Sequence, residues 1–581
     1  MKSKNQPVSQ ELQKPSGRSI LIKNGRIVDG TGNPGYEGDI LISDDTIERI
    51  GRQLEIKADQ VIDAVGLVVC PGFIDCHHHT EGQAIYEPEM AGFAAQGVTT
   101  ESLGHCGYSP FPDKKSFIGH TCSSPWGNLW WAHTLAANEN IDWNSGTEYY
   151  DLLEKRGIAL NLVPHIGCGT IAHAAGFHPL KASEIRDPTP EERERMLALI
   201  SEGMEEGVAG LSSGISYPPD LHIPDDLRIE MLKIARDYGG NMQIHVKGLS
   251  IEGISQAIKW AEAANIPLHL SHINPCPGVT RGDHPTGEVM AEGLRLIEEA
   301  RRDGMDITFD VMQYTGIPFM AEAFAQTGLQ VILSLYSENP PDGSEAPETF
   351  INNLADQGFR EKVKLEVSRV IGLSADYMDW FINEHLDLNE VINTGDPHLE
   401  GRTVGDIAGE FGMKPYDLFF DIGFGLAPMF PENARPHFIM TLQGTEENMM
   451  AATVHPLSGP ATDVGTYETP DLITPWPQGY GSIAWFFRRC IKSGLRLEDT
   501  IRKMTSLPAS VYQLSDRGVL KAGMKADIAI IDPHAYGPRS TYYDHKAKAS
   551  GMYYTIVNGV PVVDNGKMTG ERPGKVLRKQ Q

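Results

Sequence analysis

No stretch of this chain reaches the ~18 consecutive apolar residues that a membrane-spanning helix needs. The segment Met1 to Ser19 is polar where a secretory signal would carry an apolar centre. Cysteine is scarce: seven residues in 581, an odd number without repeated spacing, which argues against a disulfide framework and for free thiols. Basic residues are outnumbered, 50 Lys and Arg against 77 Asp and Glu, and the formal charge of -27 opposes binding to phosphate backbones or anionic lipid. These shortages lead to the expectation of a cytoplasmic protein whose partner is a small-molecule substrate, with no nucleic acid and no membrane, and with homo-oligomer formation left open.

What is present is an ordinary globular composition, 40% apolar and 8% aromatic, so disorder beyond the tails is not expected. The length exceeds one common core, yet (β/α)8 barrels with insertions reach roughly 400 residues or more. Both ends carry short alternating runs. Ile20 to Gly32 and Gly38 to Gly51 are divided by Asn-Gly, Asp-Gly and Asp-Asp pairs, which are hairpin signals. The same texture returns at Asp516–Pro533 and Tyr554–Gly566. Neither end alone offers enough strands for a stable sheet, so one β-sandwich built from both ends is expected.

Between the ends, apolar runs of strand length alternate with helical patterns, the signature of parallel βα units. Eight strands are expected: Leu67–Asp75, Gly97–Leu103, Ile158–His165, Gly207–Ser212, Asn241–His245, Ile266–His272, Asp306–Asp310 and one ending near Asp463. Thr189-Pro190-Glu191-Glu192 supplies a cap, a first-turn proline and a capping-box glutamate for the helix carrying Met196, Leu197, Leu199 and Ile200. Gly304 closes the helix carrying Val289, Leu294, Leu296 and Ile297. The expected fold class is α/β, a TIM-like barrel with a small β-sandwich, ahead of an open doubly wound sheet. Its parts are a polar tail at 1–17, the sandwich at 18–69 plus 511–581, and the barrel at 70–510 with insertions at 108–147 and 319–450.

Chemistry in such a barrel sits at the carboxyl ends of the strands. His77 and His79 end the first strand as His-x-His, and residues i and i+2 of a strand face one side, so two imidazoles can grip one ion. Cys106 follows the second strand, His245 ends the fifth, His272 the sixth and Asp463 the eighth. Singly, a cysteine reads as a small buried hydrophobe, a histidine as a packed or surface residue, and an aspartate as a turn former. Six residues of metal-ligand type at strand ends of one expected barrel point instead to a site for zinc.

With those residues in hand, the chain is identified as a member of the amidohydrolase superfamily, similar within it to the N-acyl-D-amino-acid deacylases, or D-aminoacylases. The resemblance runs from about residue 18 to 578. It rests on Pro71-Gly72-Phe73-Ile74-Asp75 with His77 and His79, Gly97-Val98-Thr99-Thr100 with Gly104-His105-Cys106-Gly107, Gly210-Leu211-Ser212-Ser213-Gly214 with Tyr217-Pro218-Pro219, and Leu270-Ser271-His272. Asp463, Asp516-Arg517-Gly518, Lys525-Ala526-Asp527 and Gly570-Glu571-Arg572-Pro573-Gly574 continue it. It implies one or two zinc ions, with Cys106, His245 and His272 holding the tighter and His77, His79 and Asp463 a weaker one. Such a set suits hydrolysis: zinc brings the pKa of its water down to about 7 and polarises a carbonyl, while Asp463 takes the proton and passes it to the leaving nitrogen. The alternative for Asp463 is a ligand without a proton-transfer role.

The chain departs from the family where the family clamps a substrate carboxylate. Those positions hold Asn274, Met312, Pro318 and Gln478, none cationic, with Lys247 or Arg281 as other sources of charge. Burying a carboxylate without a cation is costly, so a neutral, bulky, apolar substrate is the alternative to an N-acyl amino acid, with a lactone, an ester or a carbon–carbon bond beside a carbonyl as the bond cleaved. Trp126, Trp130, Trp131 and Trp143, with Tyr108, Phe111 and Tyr314, would line such a pocket or else form a packed lid or subunit interface. Met312 and Met320 read more readily as core than as pocket. A binding protein without catalysis is the reading from another class; all six ligand positions being filled counts against it.

Overall fold

The computed structural model describes residues 17–579 except 124–134, 136–137, 139, 180–183, 247–250, 274–285, 315–316, 321–338, 340, 342–346, 374–389, 393, 424–425, 428, 432–433, 435, 441–445 and 466–475. Strands from both ends of the chain share one nine-stranded sheet. Its members are β1 (Ser19–Ile27), β2 (Tyr36–Ser43), β3 (Thr46–Gly51), β4 (Gln60–Asp63), β5 (Val68–Pro71), β19 (Ile528–Ile531), β20 (Met552–Val557), β21 (Val560–Asp564) and β22 (Lys567–Met568). The order is β22-β21-β20-β19-β5-β1-β2-β3, with β4 alongside β1. Asn558-Gly559 turns β20 into β21 with φ of 46° and 73°, the paired positive φ that a tight primed turn requires. Ile20, Ile22, Ile40, Ile42, Ile528 and Ile530 form this sheet's own apolar cluster.

Asn24-Gly25 was expected to separate two strands, and it does not. β1 runs through it with a bulge between Ile22 and Gly25. Asn24 takes φ 60° and its N–H donates to Asp39 Oδ1 at 2.8 Å, while a Cβ on Gly25 would meet Val69 Cγ2 at 2.5 Å. The pair serves a bulge and a close sheet contact, two other uses of the same residue types.

Two parallel sheets hold the middle of the chain. One has the order β6-β7-β8, from Phe73–Asp75, Val98–Leu103 and Asn161–Pro164. The other has the order β18-β13-β12-β11-β10-β9, from Ser458–Pro460, Ile307–Val311, Leu268–Leu270, Asn241–His245, Gly210–Gly214 and Ile166–Gly167. The protein is thus α/β with parallel sheets, and nearly every strand residue is buried, as strands covered on both faces must be. The expected first strand, Leu67–Asp75, divides at Gly72. Gly72 N–H donates to Asp527 O at 2.9 Å, and a Cβ there would lie 2.2 Å from the Thr99 side chain, so the chain crosses from one sheet to the next at the one residue that fits.

Helices Pro190–Glu205, Asp225–Asp237, Ile251–Ala264 and Thr286–Arg302 lie between the parallel strands in sequence. The first has the expected capping box, with Thr189 and Glu192 exchanging side-chain and backbone bonds. Gly304 follows the last at φ 98°. Inside the 319–450 insertion, β15 (Glu390–Ile392), β16 (Arg402–Thr403) and β17 (His437–Met440) form an antiparallel sheet with β14 (Ile317–Met320). Among the described residues, six cysteines are free thiols.

Candidate metal centre

Each expected ligand lies at or just beyond the carboxyl end of a parallel strand: His77 and His79 after β6, Cys106 after β7, His245 at the last position of β11, His272 after β12 and Asp463 after β18. Their polar atoms converge. Cys106 Sγ lies 3.3 Å from His77 Nε2 and 3.8 Å from His272 Nε2. Asp463 Oδ1 is 3.1 Å from His77 Nε2 and 3.2 Å from His79 Nε2, and Asp463 Oδ2 is 3.9 Å from His272 Nε2. His245 Nδ1 is 3.0 Å from His272 Nε2. Four of the ligand atoms, from His77, Cys106, His272 and Asp463, all lie within 4.8 Å of one another. This group draws two members from each of the two implied sets.

The chemistry of this set fits a zinc ion. A tetrahedron with bonds of about 2.0–2.3 Å has edges of about 3.3–3.8 Å, close to the separations observed. Burial pushes the Cys106 thiol well above its ordinary value, and the carboxylates of Asp463, Asp310 and Glu81 push the same way. A cation is what would turn such a thiol into a thiolate. Burial also lowers His77 and places His245 well below the usual imidazole range, which keeps both rings neutral, as ligands must be. Burial alone would raise the Asp463 carboxyl, but the imidazoles of His272 and His77 outweigh it and hold it well down.

Three of the convergent residues have left-handed backbone: Cys106 at φ 51°, His272 at 33° and Asp463 at 55°. Such conformations in residues with side chains cost free energy and persist where the surroundings impose them. Asp463 N–H donates to His77 O at 2.9 Å. His272 N–H donates to Asp310 Oδ1 at 2.7 Å, and Asp310 Oδ2 lies 2.9 Å from His269 Nε2. Asp75 accepts from His77 N–H at 3.2 Å and from the Thr462 hydroxyl at 2.6 Å, tying the segments that carry His77 and Asp463. Glu81 Oε1 accepts from Gly104 N–H at 2.8 Å, ahead of Cys106. Sequence reasoning missed Asp310, Asp75 and Glu81 as supports. The signal for the first two was available, a carboxylate at the end of an expected strand.

The expected substrate contacts are more scattered. Asn274, Lys247, Arg281, Trp126, Trp130 and Trp131 lie outside the described residues, as do the side chains of Pro318 and Met320. Met312 is buried just after β13, and Gln478 is buried at the first position of helix Gln478–Lys492. Tyr314 directs its hydroxyl to Ser540, 2.7 Å from the Ser540 hydroxyl. Trp143 and Phe111 belong to the main apolar core, Trp143 Nε1–H donating to Pro110 O at 2.8 Å, and Tyr108 stacks on His120. Trp143 and Tyr314 thus satisfy their polar groups inside the fold, as buried aromatics of those types usually do.

A family model described as the Amidohydrolase family matches residues 470–563. The D-aminoacylase of Alcaligenes xylosoxydans xylosoxydans is 25% identical over 567 residues, covering 96% of this chain and 97% of that protein. The N-acyl-D-glutamate deacylase of the same organism is 23% identical over 566 residues, with 96% of each covered. Among solved structures, an N-acyl-D-glutamate deacylase from Bordetella bronchiseptica, complexed with zinc and a phosphonate inhibitor, superposes with a TM-score of 0.71 at 21% identity over 97% of this chain and 100% of its own. By these matches the chain is similar to the Amidohydrolase family over residues 470–563 and to a D-aminoacylase over nearly its whole length.

Proposed function

We propose that this chain is a zinc-dependent hydrolase that cleaves the amide carbon–nitrogen bond of an N-acyl amino acid or a related acylated amine. One observation carries the reading: a buried Cys-His-His-Asp convergence at strand ends, in a chain similar from end to end to a D-aminoacylase and to N-acyl-D-amino-acid deacylases. Cys106, His245 and His272 would hold one ion, and His77, His79 and Asp463 would supply a second, weaker position. Zinc held there supplies Lewis acidity to the scissile carbonyl and to the attacking water. Asp463 accepts the proton of that water on a carboxylate oxygen and delivers it to the leaving nitrogen. Its side chain is 16% exposed, which leaves the carboxylate an open edge towards a substrate or water.

Asn274, Met312, Tyr314 and Gln478 are the proposed substrate contacts. The parallel strands are proposed to close into a barrel spanning 70–510, supported by Cys76 N–H donating to Pro460 O at 3.0 Å and by β8 and β9 following each other through His165. The segments 18–69 and 511–581 make the small β domain. A cytoplasmic location fits the charge and the free thiols; no helix among the described residues is long and apolar enough to cross a membrane.

A neutral substrate is the second reading, favoured by Met312 and Gln478 where a deacylase would hold polar or cationic side chains. The test is turnover by the zinc-loaded protein of an N-acyl-D-amino acid beside its carboxamide. Faster cleavage of the acid means an anionic substrate held by a cation elsewhere. Preference for the carboxamide means the same chemistry on a neutral substrate, and no amine from any N-acyl compound overturns amide hydrolysis.

A further inference from the structure

The Gly210-Leu211-Ser212-Ser213-Gly214 strand has no part in the chemistry above, yet it lies directly against the Cys106 loop. Ser212, on β10 and 1% exposed, donates its hydroxyl proton to Gly104 O. The same oxygen accepts from Gly107 N–H at 3.2 Å. One hydroxyl thereby closes the four-residue loop Gly104-His105-Cys106-Gly107 at both ends. Gly104 and Gly107 have φ of 86° and 81°, and a Cβ at either would strike His165 O at 2.3 Å or Asp220 Oδ2 at 2.6 Å. The loop is therefore pinned against β10 by close backbone approach as well as by Ser212. Gly214 forms the floor: a Cβ there would lie 2.2 Å from Cys106 O.

We propose that Ser212 is a positioning residue for the metal centre: its hydroxyl bridges the two ends of the Gly104–Gly107 loop and so holds Cys106 in the left-handed conformation that aims Sγ at His77 and His272. The proposal rests on the reading of Cys106 as a metal ligand. The hydroxyl both donates and accepts, so alanine or valine cannot replace it, whereas threonine can. Partners that orient a ligand without touching the metal carry about 10–100-fold in metal affinity.

Cobalt is the probe, because a cysteine thiolate bound to it gives a near-ultraviolet charge-transfer band that reports the sulfur–metal bond independently of turnover. The apo protein is titrated with Co2+, and affinity and band intensity are read together. Ser212→Ala is expected to weaken cobalt binding by about 10–100-fold and to diminish the band relative to the ligand-field absorption. If Ser212→Ala does not fold, Ser212→Thr and Ser212→Val, alike in shape and different in the hydroxyl, are compared, with the band kept in the first and diminished in the second. Parental affinity and band in Ser212→Ala, or equal bands in the threonine and valine variants, overturn the positioning role. A parent protein with no thiolate band removes Cys106 from the metal set, and that outcome overturns the reading beneath the proposal rather than the role of Ser212 alone.

Discussion

The six convergent side chains divide by what each loses when truncated. Cys106→Ala and His245→Ala should abolish turnover and lose zinc on metal analysis after dialysis. Asp463→Ala should lower turnover by at least about 100-fold even at saturating zinc, if it removes the proposed proton carrier as well as a proposed ligand. Full activity in any one of them takes that residue out of the site. A different residue-scale effect belongs to Lys503. Its ammonium is buried, donating to Ser458 Oγ at 2.7 Å and to His455 O, and burial brings its pKa down to about 8. An unfolded lysine titrates near about 10.4, so between about pH 8 and 10.4 the unfolded chain binds more protons and stability rises with pH. Below about pH 8 the penalty is fully present. Lys503→Met should therefore stabilise the protein at pH 7, by up to about 3 kcal/mol, with the gain shrinking towards pH 10 in urea unfolding. A gain that does not change with pH would show that the ammonium carries no such penalty.

At the scale of elements, the loops after the strands matter more than the strands. Asn241–His245 was legible residue for residue, because Met242 and Ile244 alternate with polar residues in a short run that follows Gly239-Gly240. The long first strand was legible as apolar but not as two strands. Its break at Gly72 depends on Thr99 and Asp527, residues distant in sequence. The loop after β7 was legible as Gly-x-Cys-Gly, yet the reason for its glycines is the carbonyl of His165 and the carboxylate of Asp220. Gly104→Ala should accordingly cost about 1–3 kcal/mol through backbone strain and collision, and should lower zinc content along with the melting temperature. Loss of stability with the metal fully retained would separate the loop's fold from its ligand.

At the scale of the whole molecule, β19 lies between β5 and β20, so the carboxyl-terminal strands form one half of a sheet whose other half comes from the first strands of the chain. Asp527 continues the connection: its carboxylate accepts from Asn161 Nδ2–H at 3.1 Å on β8 and from Asn558 N–H at 2.7 Å, beside Arg517. A chain ending at residue 510 would expose the edge of β5 and leave the apolar faces of Ile20, Ile40 and Ile62 half covered. It should be insoluble or lack a cooperative melt, and a cooperative transition at the temperature of the full chain would show that the two ends fold independently. The texture of short strands and tight turns at both ends was readable in advance, since Asn558-Gly559 is a local signal. That the two sets belong together follows in the sequence only from neither being large enough alone, and the reading there is a β-sandwich, whereas the strands share one nine-stranded sheet.

The sequence by itself determined the residue types of the metal set, the parallel α/β class and the resemblance to amidohydrolases, because ligand chemistry and hydrophobic period are local properties. Tertiary structure decided the rest. Ligands from position 77 to position 463 meet within a few ångströms only through the register of strands that are far apart in sequence. The left-handed backbone at Cys106, His272 and Asp463, and the supports at Asp75, Asp310 and Ser212, likewise depend on which strands become neighbours. No window of the sequence contains that information, since burial and proximity are properties of the packed chain.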